Sequence, residues 1–496
     1  MIRAYGAAAV RAAEEPLLAA GEPLMLRAAE GLCARVRLRG ARRVLVLAGR
    51  GSNGGDGLWA AALLRADGVR AEALAVAGTV HEGGAEALRR AGGTVHSPEP
   101  EQLEQTLTAL LPGTDLVLDA IVGLGARPEA PSTLRPLLAA VRAQRVPVLA
   151  VDLPSFVDAT TGEADPDALV AAETVTFGAV KTGLLLPGGA ERAGSVHLVP
   201  LGIAAHLPAA AEVERLEDAE AAALWPHARP ADSKYRRGVV TLLAGSAEYP
   251  GAAVLACSGA ARAGAGMVGL LAPESVRELV WRVRPEVVGH PVAPAELPRT
   301  DVLVVGPGLP PDDPRAARGL ALLSRPSGPG GGGPAIRRGV LDAGALDALG
   351  PEHALGPDVV LTPHRGEAER LARRLELDPD LPGPELARAL AAATGGTVLL
   401  KGAITLIAPG GGGPLRSQAD GPAQLATAGT GDVLAGILGA LLGGGLDGPD
   451  AAALATLIHG RAAHRASLGG RVPLVALDVA DALPHALGTI LASAQP

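Results

Sequence analysis

"LVLAGRGSNGGDGLWAAALL", residues 45–64, decides how the first half of the chain is read. Its opening Leu and Val residues form a short apolar run suited to a buried strand. The run meets Gly49-x-Gly51-x-x-Gly54, and small and apolar residues continue beyond it at helical spacing. A strand, a glycine-rich turn and a helix in that order form the phosphate-cradling unit of doubly wound α/β folds, because free N–H groups at the helix start favour an anion. Here the loop continues Asn53-Gly54-Gly55-Asp56-Gly57, which sets a carboxylate where phosphates would sit. Asp56 reads either as a helix N-cap or as a group that meets a ligand. The acid that would hold a ribose in a redox fold belongs about 20 residues further on, and Glu72 is a rough match. From this stretch alone, a dinucleotide-dependent redox enzyme and another kind of nucleotide handler both stay open.

Working outward, apolar runs at 44–48, 71–76, 115–120, 146–152, 174–177 and 195–199 alternate with helical patterns. Such alternation predicts a parallel sheet covered on both faces. Residues 1–40 read as two helices, the block closes near Ile203, and the Ala- and Glu-rich stretch 204–224 reads as a connection. A second series begins at 239–245 and continues through 267–272, 301–308, 339–343, 358–363 and 398–408, followed by a long helical region at 431–492. The expected fold class is α/β with two doubly wound domains, residues 1–212 and 213–496, the first a Rossmann-like three-layer domain. Two glycine-rich loops, 325–334 and 408–414, are low in complexity and expected to be mobile.

At 496 residues the chain exceeds a single core. A hydrophobic share of 48% with 19% charged residues is globular rather than disordered. The net charge of −8 offers no general attraction to phosphate backbones, and three Trp, three Tyr and two Phe leave little for stacking bases. Nucleic acid is therefore not an expected partner. The longest apolar run, 433–446, is too short and glycine-rich to span a bilayer, and the charged stretch 1–16 is no signal peptide. A cytoplasmic protein without a membrane partner is expected. Cys33 and Cys257, far apart and inside helical patterns, read as buried thiols rather than a disulfide.

Ligands of parallel α/β sheets bind beyond the carboxyl ends of the strands. "LVLDAIVGLGARPEAP" (116–131) places Asp119 at such an end, and "VDLPSFVDATTG" (151–162) places Asp152 and Ser155 at the next. Asn53, Asp56, Asp119, Asp152 and Ser155 are thus expected to converge on one crevice. Several oxygen donors suit a hard cation and hydroxyl recognition better than hydride transfer. With "TVTFGAVKTGLLLPGG" (174–189), these motifs resemble the NAD(P)H-hydrate epimerase domain across essentially all of residues 1–203. The resemblance implies a potassium ion held by Asn53, Asp119 and Ser155. It also implies a hydrated nicotinamide nucleotide held by Ser52, Asn53, Gly54, Gly55 and Asp56, by the loop Gly123, Leu124, Gly125, Ala126, Arg127, Pro128 and Glu129, and by Asp152, the expected proton shuttle. Two positions depart from the usual pattern: Ser52 stands for an asparagine, and Phe156 for a glycine.

In the second half, "AGTGDVLAGILGALL" (428–442) places Gly429, Gly431 and Asp432 at a helix start. Amides and dipole there attract an anion, and an aspartate beside that nest can move a proton on a bound hydroxyl. An N-capping aspartate after a turn would read the same way. "LLKGAIT" (399–405) ends a strand in Lys401-Gly402, "LTPHRGEAERL" (361–371) ends one at Thr362-Pro363 before His364 and Glu367, and "VVGPGL" (304–309) ends another. Singly, His364 fits a helix start and Lys401 a protein surface.

In this order the motifs are similar to the ribokinase-like superfamily and its ADP-dependent NAD(P)H-hydrate dehydratase branch, over about 225–490. The resemblance implies that Ala252, Gly308, His364 and Asp432 contact the hydrated nucleotide. ADP would meet Lys401, Gly402, Ala403, Ile404, Thr405 and Gly431, with Mg²⁺ as a companion. Gly344, Pro422 and Ala428 depart from the branch's usual Asp, Asn and Gly. The implied activity is repair of hydrated NADH and NADPH: epimerisation of the 6R and 6S hydrates and ADP-dependent dehydration of the S epimer. Asp432 would act as acid toward the leaving hydroxyl or base at C5. An ATP-dependent vitamin or sugar kinase fused to a non-catalytic nucleotide-binding module would use the same Asp432 and nest, so that alternative stays open here. A homo-oligomer is the expected assembly.

Overall fold

The computed structural model describes residues 1–293, 297–324 and 336–493, so the glycine-rich loop 325–334 lies outside the described residues. The chain divides into two compact units, one of Ile2–Val213 and one from Glu214 onward that includes Met1.

In the N-terminal unit, β1 (Arg43–Ala48), β2 (Arg70–Ala75), β3 (Thr94–His96), β4 (Leu116–Ala120), β5 (Val148–Val151), β6 (Glu173–Phe177) and β7 (Ser195–Val199) form one sheet. The spatial order is β3-β2-β1-β4-β5-β6-β7, with every neighbour parallel. The order reverses between β1 and β4, which is where a doubly wound sheet opens a crevice at its carboxyl edge. The strands are buried on both faces, which is why they read as unbroken apolar runs. On one face Val44 and Val46 pack with Leu32 and Val36 of α2 (Leu24–Arg39) and Leu58 and Ala61 of α3 (Ser52–Ala66). On the other, Leu45 and Leu47 pack with Leu137 and Val141. The first residues depart from the helical expectation. Ile2–Tyr5 is a strand paired in parallel with Val180–Lys181, and α1 (Ala7–Ala19) starts only after it.

The C-terminal unit carries β8 (Val239–Leu243), β9 (Met267–Leu271), β10 (Val288–His290), β11 (Val302–Val305), β12 (Gly339–Leu341), β13 (Val359–Leu361), β14 (Thr397–Leu400), β15 (Thr405–Ala408) and β16 (Leu415–Gln418). Their order is β10-β9-β8-β11-β12-β13-β14-β15-β16. The pairs are parallel as far as β14 and antiparallel from β14 to β16. The glycine-rich stretch 408–414 is the turn between β15 and β16, with Gly412 and Gly413 at φ 80° and 114°, a region that favours glycine.

The long helical region resolves into α6 (Thr430–Gly443), α7 (Gly448–Ala466) and α8 (Ala476–Ser493), after α4 (Pro250–Arg262) and α5 (Arg365–Arg374). Helices α4 and α6 meet through small residues. A Cβ on Gly259 would stand 2.2 Å from the Val433 carbonyl oxygen, and one on Gly436 2.0 Å from that of Ala256. That contact fixes where α6 begins. The stretch 204–224 is more than a connection, for it contains a strand, Val213–Arg215, and a helix, Asp218–Leu224. Cys33 and Cys257 are buried and unpaired, and burial pushes their thiols up to about 11 and about 12. Among the described residues no helix is long and apolar enough to cross a membrane.

Candidate active sites

The switch point of the N-terminal sheet opens into a cleft of about 690 Å³. The glycine turn beside it is required sterically. A Cβ on Gly49 would lie 1.9 Å from the Ile121 carbonyl oxygen, and one on Gly54 2.0 Å from that of Gly49. Of the residues expected at the ligand, Ser52, Asn53, Asp56, Gly123, Leu124, Gly125 and Asp152 line the cleft. Gly54 and Gly55 instead pack into the fold, Ala126 is buried, Arg127 and Glu129 are exposed, and Pro128 is half-buried away from the lining. Arg11 and Glu14 line it as well, which the sequence patterns did not single out, and so does Phe177 from within the 174–189 motif. Arg11 donates to the Leu124 carbonyl at 2.9 Å, tying α1 to the loop 123–129. Glu72 sits 2.9 Å from His96 Nε2 and is not part of the lining, which removes the candidate ribose acid.

Beneath the cleft, the Asp119 carboxylate accepts from the Ser155 amide at 2.9 Å and its hydroxyl at 2.6 Å. Burial pushes Asp119 up, and the bonds from Ser155 and Ile121 pull against it. Among the described residues both polar side-chain atoms of Asn53 are buried without a partner, and a Cβ on Gly123 would stand 2.9 Å from Asn53 Oδ1. No Lys or Arg among the described residues is bonded to the Asp119 carboxylate, and together with the orphaned amide oxygen it fits a hard cation held by oxygen ligands. Among the described residues no cluster of three or more His, Cys, Asp or Glu exists to hold a more demanding metal.

Two aspartates face the cleft in unlike surroundings. The N-cap of α3 is Gly51, so Asp56 lies inside the helix and the N-cap reading fails. Asp56 is 9% exposed, and burial first, then the charge of Asp152, hold its carboxyl well above the usual range, with Lys181 opposing. Asp152 follows β5 with φ at 67°, a strained turn for a residue with a side chain. Its Oδ1 accepts from the Phe177 amide at 3.1 Å, from the Thr176 hydroxyl at 3.3 Å and from the Lys181 ammonium. Lys181 is 1% exposed. It falls inside a motif the sequence singled out, yet only the fold shows what it touches. Phe156 holds φ at 66°, where the family's glycine would be relaxed, and its ring is buried among Ile121, Leu134 and Val148.

In the C-terminal unit, α6 starts from Gly429 at φ 86°; the Thr430 amide donates to the Thr427 carbonyl at 3.4 Å, while among the described residues the Gly431 and Asp432 amides meet no carbonyl. Asp432 stands in this first turn. Burial, reinforced by the charge of Asp342, pushes its carboxyl up to about 7, while Lys401 pulls the other way. The Lys401 ammonium lies 2.9 Å from Asp342 Oδ1 and 3.8 Å from Glu367 Oε2. It also lies 3.5 Å from where a Cβ on Gly431 would be. Burial alone would lower the Lys401 ammonium, but Asp342, Glu367 and Asp432 outweigh it and the net movement is upward. Asp342 also accepts from the Thr362 hydroxyl at 2.8 Å.

Gly308, at φ 66°, is packed against Ala252, since a Cβ there would stand 2.6 Å from the alanine's own. His364 caps α5: its Nδ1 accepts from the Gly366 and Glu367 amides, and Glu367 accepts from the His364 amide at 2.8 Å. The helix-start reading of this histidine holds. Gly402 and Ala403 are exposed, whereas Ile404 and Thr405 are buried. The Gly344 departure has a steric reason, because a Cβ there would meet the Leu309 carbonyl oxygen at 2.3 Å. His459 of α7 is buried near Thr430, and burial holds its imidazole down at about 4.

A parallel sheet and a largely parallel mixed sheet, each with a glycine turn and acidic groups at its carboxyl edge, define a two-unit α/β enzyme of the nucleotide-handling kind. The family model described as NAD(P)H-hydrate dehydratase matches residues 240–485, and that described as YjeF-related protein N-terminus matches residues 21–183. The chain is 40% identical to the bifunctional NAD(P)H-hydrate repair enzyme Nnr of Mycobacterium tuberculosis over 467 residues, covering 90% of this chain and 91% of that one. With the enzyme of the same name from Escherichia coli it shares 33% identity, covering 89% and 84%. It belongs to the family of bifunctional NAD(P)H-hydrate repair enzymes. It is also similar to the solved ADP/ATP-dependent NAD(P)H-hydrate dehydratase of Bacillus subtilis, at 29% identity and a TM-score of 0.48, over 56% of this chain and 99% of that one. Relatives matching along both halves set aside the kinase alternative.

Proposed function

We propose that the N-terminal cleft interconverts the 6R and 6S hydrates of NADH and NADPH, and that the C-terminal site returns the S epimer to NADH or NADPH with ADP as cofactor. Family membership supports both activities, an epimerase and a dehydratase in one chain. The observation that carries the residue assignment is Asp432, a carboxyl at about 7 standing at a helix start beside Lys401.

Hydration adds water across the C5–C6 bond of the dihydronicotinamide ring and leaves a hydroxyl at C6. Protonated Asp432 gives its proton to that hydroxyl. The C6–O bond breaks, water leaves, and the ring nitrogen's lone pair forms the C=N bond of an iminium. The same carboxylate then takes the C5 proton, restoring the C5=C6 bond, so one proton goes out and one returns. A carboxyl titrating near neutrality suits both halves of this exchange, and such help is worth about 10²–10⁴ in rate.

Ala252, Gly308 and His364 would hold the hydrated nucleotide. Lys401, Gly402, Ala403, Ile404, Thr405 and Gly431 would hold ADP, with Mg²⁺ beside it, and ADP would complete the pocket. In the N-terminal cleft, Asn53, Asp119 and Ser155 would hold K⁺, a fixed positive charge at the cleft floor. Asp152 would be the proton shuttle. Action in the cytoplasm as a homo-oligomer belongs to the same reading and rests on the family resemblance.

The test is to incubate the protein with hydrated NADH, with and without ADP, and follow the dihydronicotinamide absorbance. Recovery that requires ADP is expected. Phosphoryl transfer from ATP to a small molecule, with no recovery of absorbance, would sink the reading.

A further inference from the structure

The N-terminal cleft holds more acid than one proton shuttle explains. Asp152 has its charge accounted for through the Lys181 ammonium, the Phe177 amide and the Thr176 hydroxyl, all on Oδ1. Asp56 faces the same cleft from α3, nine-tenths buried, and among the described residues nothing donates to it or pairs with it. Lys181 cannot turn to serve it. An ammonium has three N–H bonds, and those of Lys181 go to Asp152 Oδ1, to Thr176 Oγ1 at 3.1 Å and to the Phe177 carbonyl at 2.8 Å. Arg11, also on the cleft wall, donates to the Leu124 carbonyl and among the described residues makes no bond to Asp56. The other charged group felt at Asp56 is a further carboxyl, Glu14 of α1. A buried carboxyl beside like charges, with no cation of its own, keeps its proton. The two carboxyl groups sit in unlike settings, Asp152 bonded to an ammonium, an amide and a hydroxyl and Asp56 without such partners, as in sites that divide acid from base duty.

We propose that Asp56 is a second catalytic residue of the N-terminal cleft, giving a proton to the C6 hydroxyl while Asp152 takes one from the water that replaces it. The assignment rests on the epimerase reading above. The Asp56 O–H proton passes to the hydroxyl oxygen, the C6–O bond breaks and water leaves with the bonding pair. The ring nitrogen's lone pair forms the C=N bond of the iminium. Water adds to C6 from the opposite face, the π pair returns to nitrogen, and the proton shed by the new hydroxyl goes to the Asp152 carboxylate. The proton on Asp152 then returns to Asp56 by exchange with water in the open cleft, which restores the starting state, so protons balance over a cycle and no oxidant or reductant is needed.

The experiment uses the full-length chain without ADP, so that dehydration does not drain the substrate. It starts from one epimer of hydrated NADH and follows the other by chromatography. Asp56→Asn is expected to lower kcat for interconversion by about 100-fold or more, with KM within about threefold, because the amide keeps the shape and loses the proton. Its thermal transition should be unchanged or raised, since asparagine in that pocket has no proton to capture, and this separates loss of chemistry from loss of fold. Lys181→Met should also slow interconversion, by removing the ammonium that holds the Asp152 carboxylate in place. An Asp56→Asn chain that keeps more than a third of the wild-type kcat overturns this assignment alone. A wild-type chain no faster than the uncatalysed reaction overturns the epimerase reading and this assignment with it.

Discussion

Lys181 and Lys401 occupy parallel positions in units with different sheet orders. In the N-terminal cleft Lys181 is bonded to Asp152, and Asp56 stands near them unpartnered. In the C-terminal site Lys401 is bonded to Asp342, and Asp432 stands near them. In both trios burial first, and the partnered carboxylate second, push the remaining carboxyl up while the lysine opposes. They differ in how the lysine is enclosed. Lys181 is sealed among protein acceptors, whereas the Lys401 side chain is 23% exposed beside the open amides of α6. On the proposed reading the first trio handles protons only. The second keeps a cation and an amide nest facing outward, where the phosphates of a nucleotide can join it.

The sharpest way to break this comparison is to remove one acid from each trio. Asp432→Asn should cut ADP-dependent dehydration by about 10²–10⁴ and leave epimer interconversion near wild type. Asp152→Asn should do the reverse, as measured by absorbance recovery for the one and chromatography of the epimers for the other. Equal losses in both assays would mean the two trios are not independent.

The lysines come next. Lys401→Met should raise the ADP concentration needed for half-maximal dehydration by about tenfold or more, the loss of one charge-assisted contact. Lys181→Met should leave that quantity unchanged. A calorimetric titration of ADP into each variant reads the difference directly.

A smaller effect tests the strained turn in the N-terminal cleft. Replacing Phe156 with glycine relieves its positive φ by about 1–2 kcal/mol but deletes a buried ring worth about 3–5 kcal/mol. Net destabilisation of about 2 kcal/mol is expected in denaturant melts. A stabilised variant would show that the ring is strain without packing.

The smallest effect concerns the support beneath α6. Burial holds the His459 imidazole down at about 4 against an ordinary 6.5, so the folded state binds fewer protons than the unfolded state between those values. Stability therefore falls as pH drops from about 6.5 toward 4, by about 1 kcal/mol at pH 5.5. His459→Gln should flatten that slope in urea melts.

Most of the scaffold was legible because strands buried on both faces announce themselves as apolar runs, and glycines at close backbone approaches cannot be replaced. Gly49, Gly54 and Gly308 show this, each with an atom under 3 Å from its missing Cβ. The three-residue strands Thr94–His96 and Val288–His290 escaped, being too short to show a period, and so did the four-residue strand Leu415–Gln418. Within the sites, the aspartates were legible from strand ends and turns. Their environments were not. That Asp56 would be unpartnered while Asp152 is held by Lys181, 29 residues later, depends on β5, β6 and the turn after it coming together. Asp342 falls within the apolar run 339–343, but its bond to Lys401 spans 59 residues and three adjacent strands. Arg11 and Glu14 were hidden for a similar reason, since nothing in an exposed helical pattern tells which cleft it will wall.

The most direct measurement is kcat/KM for dehydration of the S hydrate against pH, with ADP saturating, in the wild type and in Asp432→Asn. Because the protonated carboxyl starts the reaction, the wild-type rate should fall as pH rises through about 7, or somewhat higher once the negative charge of ADP is beside it. That falling limb should be missing from the variant. A rate that climbs through the same range, or a limb that survives the substitution, would contradict the account.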